Sequence, residues 1–244
     1  MKGRAVLLTA IAIIVVSLSC LSAGCGVSQY ELTGKTPTET AQNIVNHYHE
    51  THIYSEYDFF VCSDMALDVW DMLKAQGINA IIQIGNVKTE AKDITDADHA
   101  WILAEVSSDE YLALETTSGY AVWAEDNPLY YKGWSFDNPK EYKRFVELKQ
   151  EFNIRVDLIK QYEAAWEISN TAALEATSEY EHLTYELAGV SFSDPSFASK
   201  LGELIAKGIE LGTYKGKCEQ LNELVNEESQ KLINIVSEMK GLLQ

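Results

Sequence analysis

Apolar positions along this chain change their period twice, and the changes divide it. Between residues 37 and 77 they recur every three or four residues, the spacing that keeps one face of a helix in a core. Thr36, Pro37 and Glu39 fit a helix cap, a first helical position and a capping-box partner. The helix they open continues through AQNIVNHYHETHIY, with Ile44, Tyr48 and Ile53 on its inner side. A second helix begins at Cys62. Met65, Ala66, Val69, Trp70 and Leu73 make its buried stripe, and Gly77 supplies its stop.

After Gly77 the period shortens. INAIIQIG reads as a strand ending at Gly85, and NVKTEAKDITDAD as a polar loop leading to His99. Residues 99–106 and 110–115 read as two strands of a hairpin joined through SSDE. A short strand, YAVW, follows the turn at Ser118 and Gly119. A helical layer followed by an antiparallel sheet predicts an α+β fold.

From Pro139 the helical period returns. Phe145, Leu148, Phe152, Val156, Ile159, Tyr162 and Trp166 form a near-heptad seam on a long helix. SFSDPSF, around Pro195, breaks it, and a second long helix is predicted over about 214–243, with Leu221, Val225, Leu232, Val236, Met239 and Leu243 on one side. Two arrangements are open: an antiparallel hairpin packed on itself or on the first domain, and a dimerising coiled coil. Interruption of the seam by Gly208, Gly212 and Gly216 favours the hairpin.

Charge narrows the partners. The chain carries 37 acidic against 19 basic side chains, a formal net charge of −18, which argues against nucleic-acid binding by a basic surface. The N-terminus adds an address. Lys2 and Arg4 precede an almost wholly apolar stretch over residues 5–21, and SAGCG places Cys25 after small residues. This resembles a lipoprotein signal in which Cys25 becomes the lipid-carrying first residue, although Leu21 stands four residues before the cysteine and Ser22 three. A plain cleaved signal peptide and an uncleaved membrane-spanning helix are the other readings. All three export the rest of the chain. Residues 26–36 then read as a polar tether.

Of the four cysteines, Cys20 and Cys25 belong to the N-terminal segment, leaving Cys62 and Cys218. In an oxidising compartment those two can pair. A different use of Cys62 follows from its neighbours in sequence order. Cys62 opens a helix, where free amides and the dipole favour negative charge. His99 opens a strand, and Glu115 closes the next one before TTSG. A thiol nucleophile needs a base to share its proton and a third group to orient that base, so the three residue types make one candidate unit.

The residues C62-S-D-M-A-L-D-V-W-D-M-L-K-A-Q-G-I-N-A-I-I-Q-I-G85, H99-A-W-I-L and L114-E-T-T-S-G119 resemble the transglutaminase-like superfamily, as does Y131-K-G-W-S-F136. The resemblance covers about residues 40–136 and not the helical C-terminal region. It implies a papain-like fold with Cys62 as nucleophile, His99 as base and Glu115 as orienting acid. It also implies transamidation, amide hydrolysis or, in some members, no catalysis. Glu115 stands where the family more often has aspartate, and Thr116 where it has proline. For the oxyanion, the amide of Cys62 is one natural donor and Tyr57 a candidate second.

His47, His49 and His52 invite a metal reading, but on a helix His47 points away from the other two, and HETH is one residue short of HExxH. A solvated helix face is the preferred account, so no metal and no cofactor is expected. The organisation expected is a signal or anchor over 1–25, a tether over 26–36, a transglutaminase-like domain over 37–138 and an α-helical region over 139–244. The function expected is a membrane-tethered, extracytoplasmic thiol hydrolase or acyltransferase acting on peptide or isopeptide amides. The alternative is a non-catalytic binding module whose helical hairpin is the working surface, with self-association through those helices.

Overall fold

A computed structural model describes residues 32–53 and 62–243. Helix α1, Pro37–Thr51, starts as its cap residues predict. Thr36 Oγ1 accepts the Glu39 amide at 3.1 Å, although the Glu39 carboxylate reaches the amide of Lys35 rather than that of Thr36. Ile44, Val45 and Tyr48 are fully buried on its inner face. Ile53 is not. The helix ends two residues earlier, and Ile53 is 88% exposed. Of the predicted tether, Leu32 packs on the core and Gly34 donates its amide to Thr40 Oγ1 at 2.8 Å.

Helix α2, Cys62–Ala75, buries Met65, Ala66, Val69 and Leu73. Trp70 is partly buried and anchors the helix to the sheet, its indole N–H donating to the Ala80 carbonyl at 2.8 Å. Gly77 takes the left-handed conformation, φ 75°, that a helix stop requires.

The sheet is antiparallel with five strands in the order β4-β3-β2-β1-β5: β1 Ala80–Gly85, β2 His99–Ser107, β3 Glu110–Glu115, β4 Tyr120–Val122 and β5 Trp134–Phe136. The fold is α+β. Strand β5 was not anticipated; it pairs with β1, about fifty residues earlier in the chain. It reaches β1 through Gly133 (φ 114°), where a Cβ would lie 2.1 Å from the Ile84 carbonyl oxygen. Only glycine permits that approach. Alternation along β2 splits the interior. Ala100, Ile102, Ala104 and Val106 join the main core beneath the helices, whereas Trp101 and Leu103 join a smaller cluster with Ala113, Val122 and Tyr130.

Two long helices complete the chain, α3 Pro139–Ala188 and α4 Phe197–Gly241. They form the antiparallel hairpin, as ion pairs of opposite order show: Arg144–Glu238 (2.8 Å), Arg155–Glu228 (2.6 Å), Glu179–Lys207 (2.6 Å) and Glu186–Lys200 (3.0 Å). The second helix begins some 17 residues before its predicted start. The three interrupting glycines lie inside it, and Gly208 lets the Tyr180 ring close in, at 3.2 Å from where its Cβ would be. Packing along α3 outweighs the roughly 1 kcal/mol that each helical glycine costs. The base of the hairpin belongs to the main core, through Tyr142, Phe145 and Leu148 from α3 and Ile235 and Met239 from α4. Among the described residues no helix is long and apolar enough to cross a membrane.

Candidate thiol site

Three elements converge at one end of the sheet. Cys62 is the first residue of α2, His99 the first of β2 and Glu115 the last of β3. The register pairs Ile102 with Leu114, so His99 and Glu115 lie on one face of adjacent strands, diagonally placed. His99 Nε2 and Glu115 Oε2 are 2.7 Å apart. That face is opposite the one covered by α2. Because His99 is at the strand end, its ring can serve both sides, and it borders a cleft on each.

Glu115 is 3% exposed and fully engaged. Besides His99, Oε2 accepts the Tyr130 hydroxyl at 2.7 Å, while Oε1 accepts the Thr117 hydroxyl at 2.6 Å and the Thr117 amide at 3.1 Å. Burial alone would raise the carboxyl, but the His99, Thr117 and Tyr130 donors outweigh it and hold Glu115 well below the usual carboxylate range. Burial likewise disfavours a charged imidazole, yet hydrogen bonds to Cys62 and Glu115 hold His99 well above its ordinary value. Both contacts favour the imidazolium over the neutral ring. Nε2 is committed to Glu115, which leaves Nδ1 for Cys62.

Trp101 fixes this arrangement from below. Its indole N–H donates to the Tyr130 carbonyl at 2.8 Å, its ring meets Tyr130 edge-on, and it stacks under His99 at 5.8 Å. Tyr131 closes the same corner, its hydroxyl donating to the Val122 carbonyl at 2.8 Å and accepting the Ala113 amide at 3.1 Å. These contacts account for the paired tyrosines before Lys132 and for the His-Ala-Trp run.

Cys62 and His99 share a cleft of about 600 Å³ between the sheet and α3. A smaller one, about 330 Å³, lies on the Glu115 side and includes Tyr120 and Tyr130. Sequence reasoning found Cys62, His99 and Glu115 but missed Tyr130 and Thr117, which hold the carboxylate, and Tyr142, Phe145, Val146 and Lys149, which wall the larger cleft. Thr117 had a legible signal, a hydroxyl two residues after an acid in a turn. Tyr130 had none, since its role depends on the way the 3₁₀ turn Pro128–Tyr131 folds beneath the sheet.

The disulfide alternative falls. Cys62 and Cys218 are both free thiols, and the flanking ion pairs set Cys218 level with the stretch of α3 around Trp166. That is about two dozen residues, or roughly 36 Å of helix, beyond Tyr142, which lines the Cys62 cleft. A bridge needs Cα atoms within about 7 Å. The two candidates Cys25 and Tyr57 lie outside the described residues. Of the histidine trio, His49 packs over Gly119, and the His52 ring stacks on Tyr48 with centroids 4.0 Å apart. Among the described residues no group of three or more His, Cys, Asp and Glu side chains is disposed to hold a metal ion.

Comparison of the chain with protein-family models, with curated proteins and with solved structures finds no match.

Proposed function

We propose that this protein is a transglutaminase-like, papain-type thiol enzyme that cleaves or transfers peptide or isopeptide amides. The observation that carries this reading is the imidazole of His99, held by Glu115 at 2.7 Å and bordering the same cleft as Cys62. The sulfur sits at the amide-rich end of α2, where negative charge is favoured.

The chemistry follows from those positions. The Cys62 thiolate attacks the amide carbonyl, forming an S–C bond and moving the π pair to oxygen. The amide of Cys62, at the first position of α2, is one natural donor to that oxyanion. Collapse breaks the C–N bond, and the leaving nitrogen takes the proton from His99 Nδ1. A water or an amine then attacks the thioester and gives its proton back to Nδ1, the C–S bond breaks, and the thiolate–imidazolium pair is restored. Glu115 stays ionised throughout and keeps the ring aimed. The reading includes an extracytoplasmic site of action with a membrane tether, supported by the basic head, the apolar stretch over 5–21 and Cys25.

Iodoacetamide labelling near neutral pH tests it. Cys62 of the native protein should alkylate much faster than Cys218, and His99→Ala should remove the difference. Equal labelling of Cys62 in native and His99→Ala proteins would overturn the reading. Cys62→Ser should abolish hydrolysis of amide substrates.

A further inference from the structure

The C-terminal hairpin does more than brace the domain, because the first turns of α3 form one wall of the Cys62 cleft. We infer that this wall, formed by Phe145 and Val146 facing Ile84 and Ala100 of the sheet, selects substrates with an apolar side chain flanking the attacked carbonyl. The inference rests on the thiol-site reading and adds a substrate class to it.

Two observations point to an apolar occupant. The first is the lining. Phe145 is buried and Val146 partly buried, and both belong to the main core, whose surface the cleft continues up to the Cys62 sulfur. A cleft of about 600 Å³ has room for a side chain together with its backbone. The second is that its charged groups already have partners within the protein. Lys149 donates to the Thr95 carbonyl, with Asp96 and Asp98 nearby. Asp96 accepts the amides of Lys92 and Asp93, and Asp98 accepts the Asn86 side-chain amide at 3.0 Å. A charged substrate group would give up water against the Phe145 and Val146 wall. An acidic one would also meet two carboxylates against one ammonium, on a protein of net charge −18. An apolar side chain gains from the same burial.

Three peptidyl vinyl sulfones, with Leu, Lys or Glu next to the warhead, provide the test. The thiolate adds to the β-carbon, the C=C π bond breaks, and the resulting carbanion takes the His99 proton, so the adduct on Cys62 is read by intact mass. Native protein should react with the Leu probe at least about tenfold faster than with either charged probe, a factor of ten corresponding to roughly 1.4 kcal/mol. Val146→Glu, at a partly exposed position, should reduce the Leu-to-Lys rate ratio by about the same factor. Equal rates, a charged probe leading, or no adduct from any probe, each with His99-dependent iodoacetamide labelling intact, would overturn the substrate assignment alone. Loss of that His99 dependence would overturn the thiol reading and this inference with it.

Discussion

Glu115 Oε2 lies 2.7 Å from Nε2 of His99, and this contact decides which ring nitrogen faces the cysteine. A carboxylate on Nε2 leaves Nδ1 as the nitrogen open to the Cys62 side, the acid and base of the proposed mechanism. The side chain is one methylene longer than aspartate, and its two oxygens are held by four donors. Glu115→Gln removes the charge that steadies the imidazolium and should slow iodoacetamide labelling of Cys62 by about tenfold, a factor corresponding to roughly 1.4 kcal/mol. Glu115→Asp keeps the charge but loses reach and should label at an intermediate rate.

The same pair makes stability depend on pH. His99 is raised from an ordinary 6.5 to about 10, so its contribution is whole below 6.5 and lost as pH rises towards 10. Glu115 is lowered from 4.5 to about 2, so its contribution is whole above 4.5 and lost as pH falls towards 2. The pair therefore stabilises the fold most between about 4.5 and 6.5. The melting-temperature gap between native protein and Glu115→Gln should be widest in that window and close on both sides. A gap that is flat in pH would show that the charges of the pair contribute nothing.

Tyr130→Phe deletes a buried donor to Glu115 while keeping the ring that meets Trp101. Loss of one hydrogen bond to a buried charge should cost about 1–3 kcal/mol in denaturant unfolding. Labelling of Cys62 should also slow, because the carboxylate is less firmly held. A change in stability with no change in labelling would confine Tyr130 to a structural role.

Two glycines should respond oppositely to alanine. Gly133→Ala puts a Cβ against the Ile84 carbonyl at a φ of 114° and should destabilise by at least about 1–3 kcal/mol. Gly212→Ala, on an open face of α4, meets nothing within 4 Å and should stabilise by about 0.5–1 kcal/mol. Chemical denaturation of the two variants reads both signs.

Met239, fully buried near the end of α4, joins the hairpin to the sheet core. Met239→Ala should cost about 2–5 kcal/mol. Amide exchange in β1 and β2 should speed up together with that in α4. Faster exchange in the hairpin alone would mean that the base of the hairpin unfolds separately.

Sequence alone determined most of the elements and set Cys62, His99 and Glu115 at element ends. The three-four spacing in α2, the alternation in β2 and β3 and the cap at Thr36 are local, and each is a consequence of side chains one turn or one pleat apart. Cys62, His99 and Glu115 were legible because each marks an element boundary. Tertiary structure decided the rest, because it depends on contacts between residues far apart in the chain. The register of β2 on β3 brings Glu115 diagonally beside His99, the end position of His99 lets its ring reach round the sheet to the α2 side, and the turn at 128–131 brings Tyr130 under the carboxylate. The packing of α3 makes residues read only as a helical seam into a wall of the Cys62 cleft. Helical periodicity shows that a face is buried; only the folded chain shows what it is buried against.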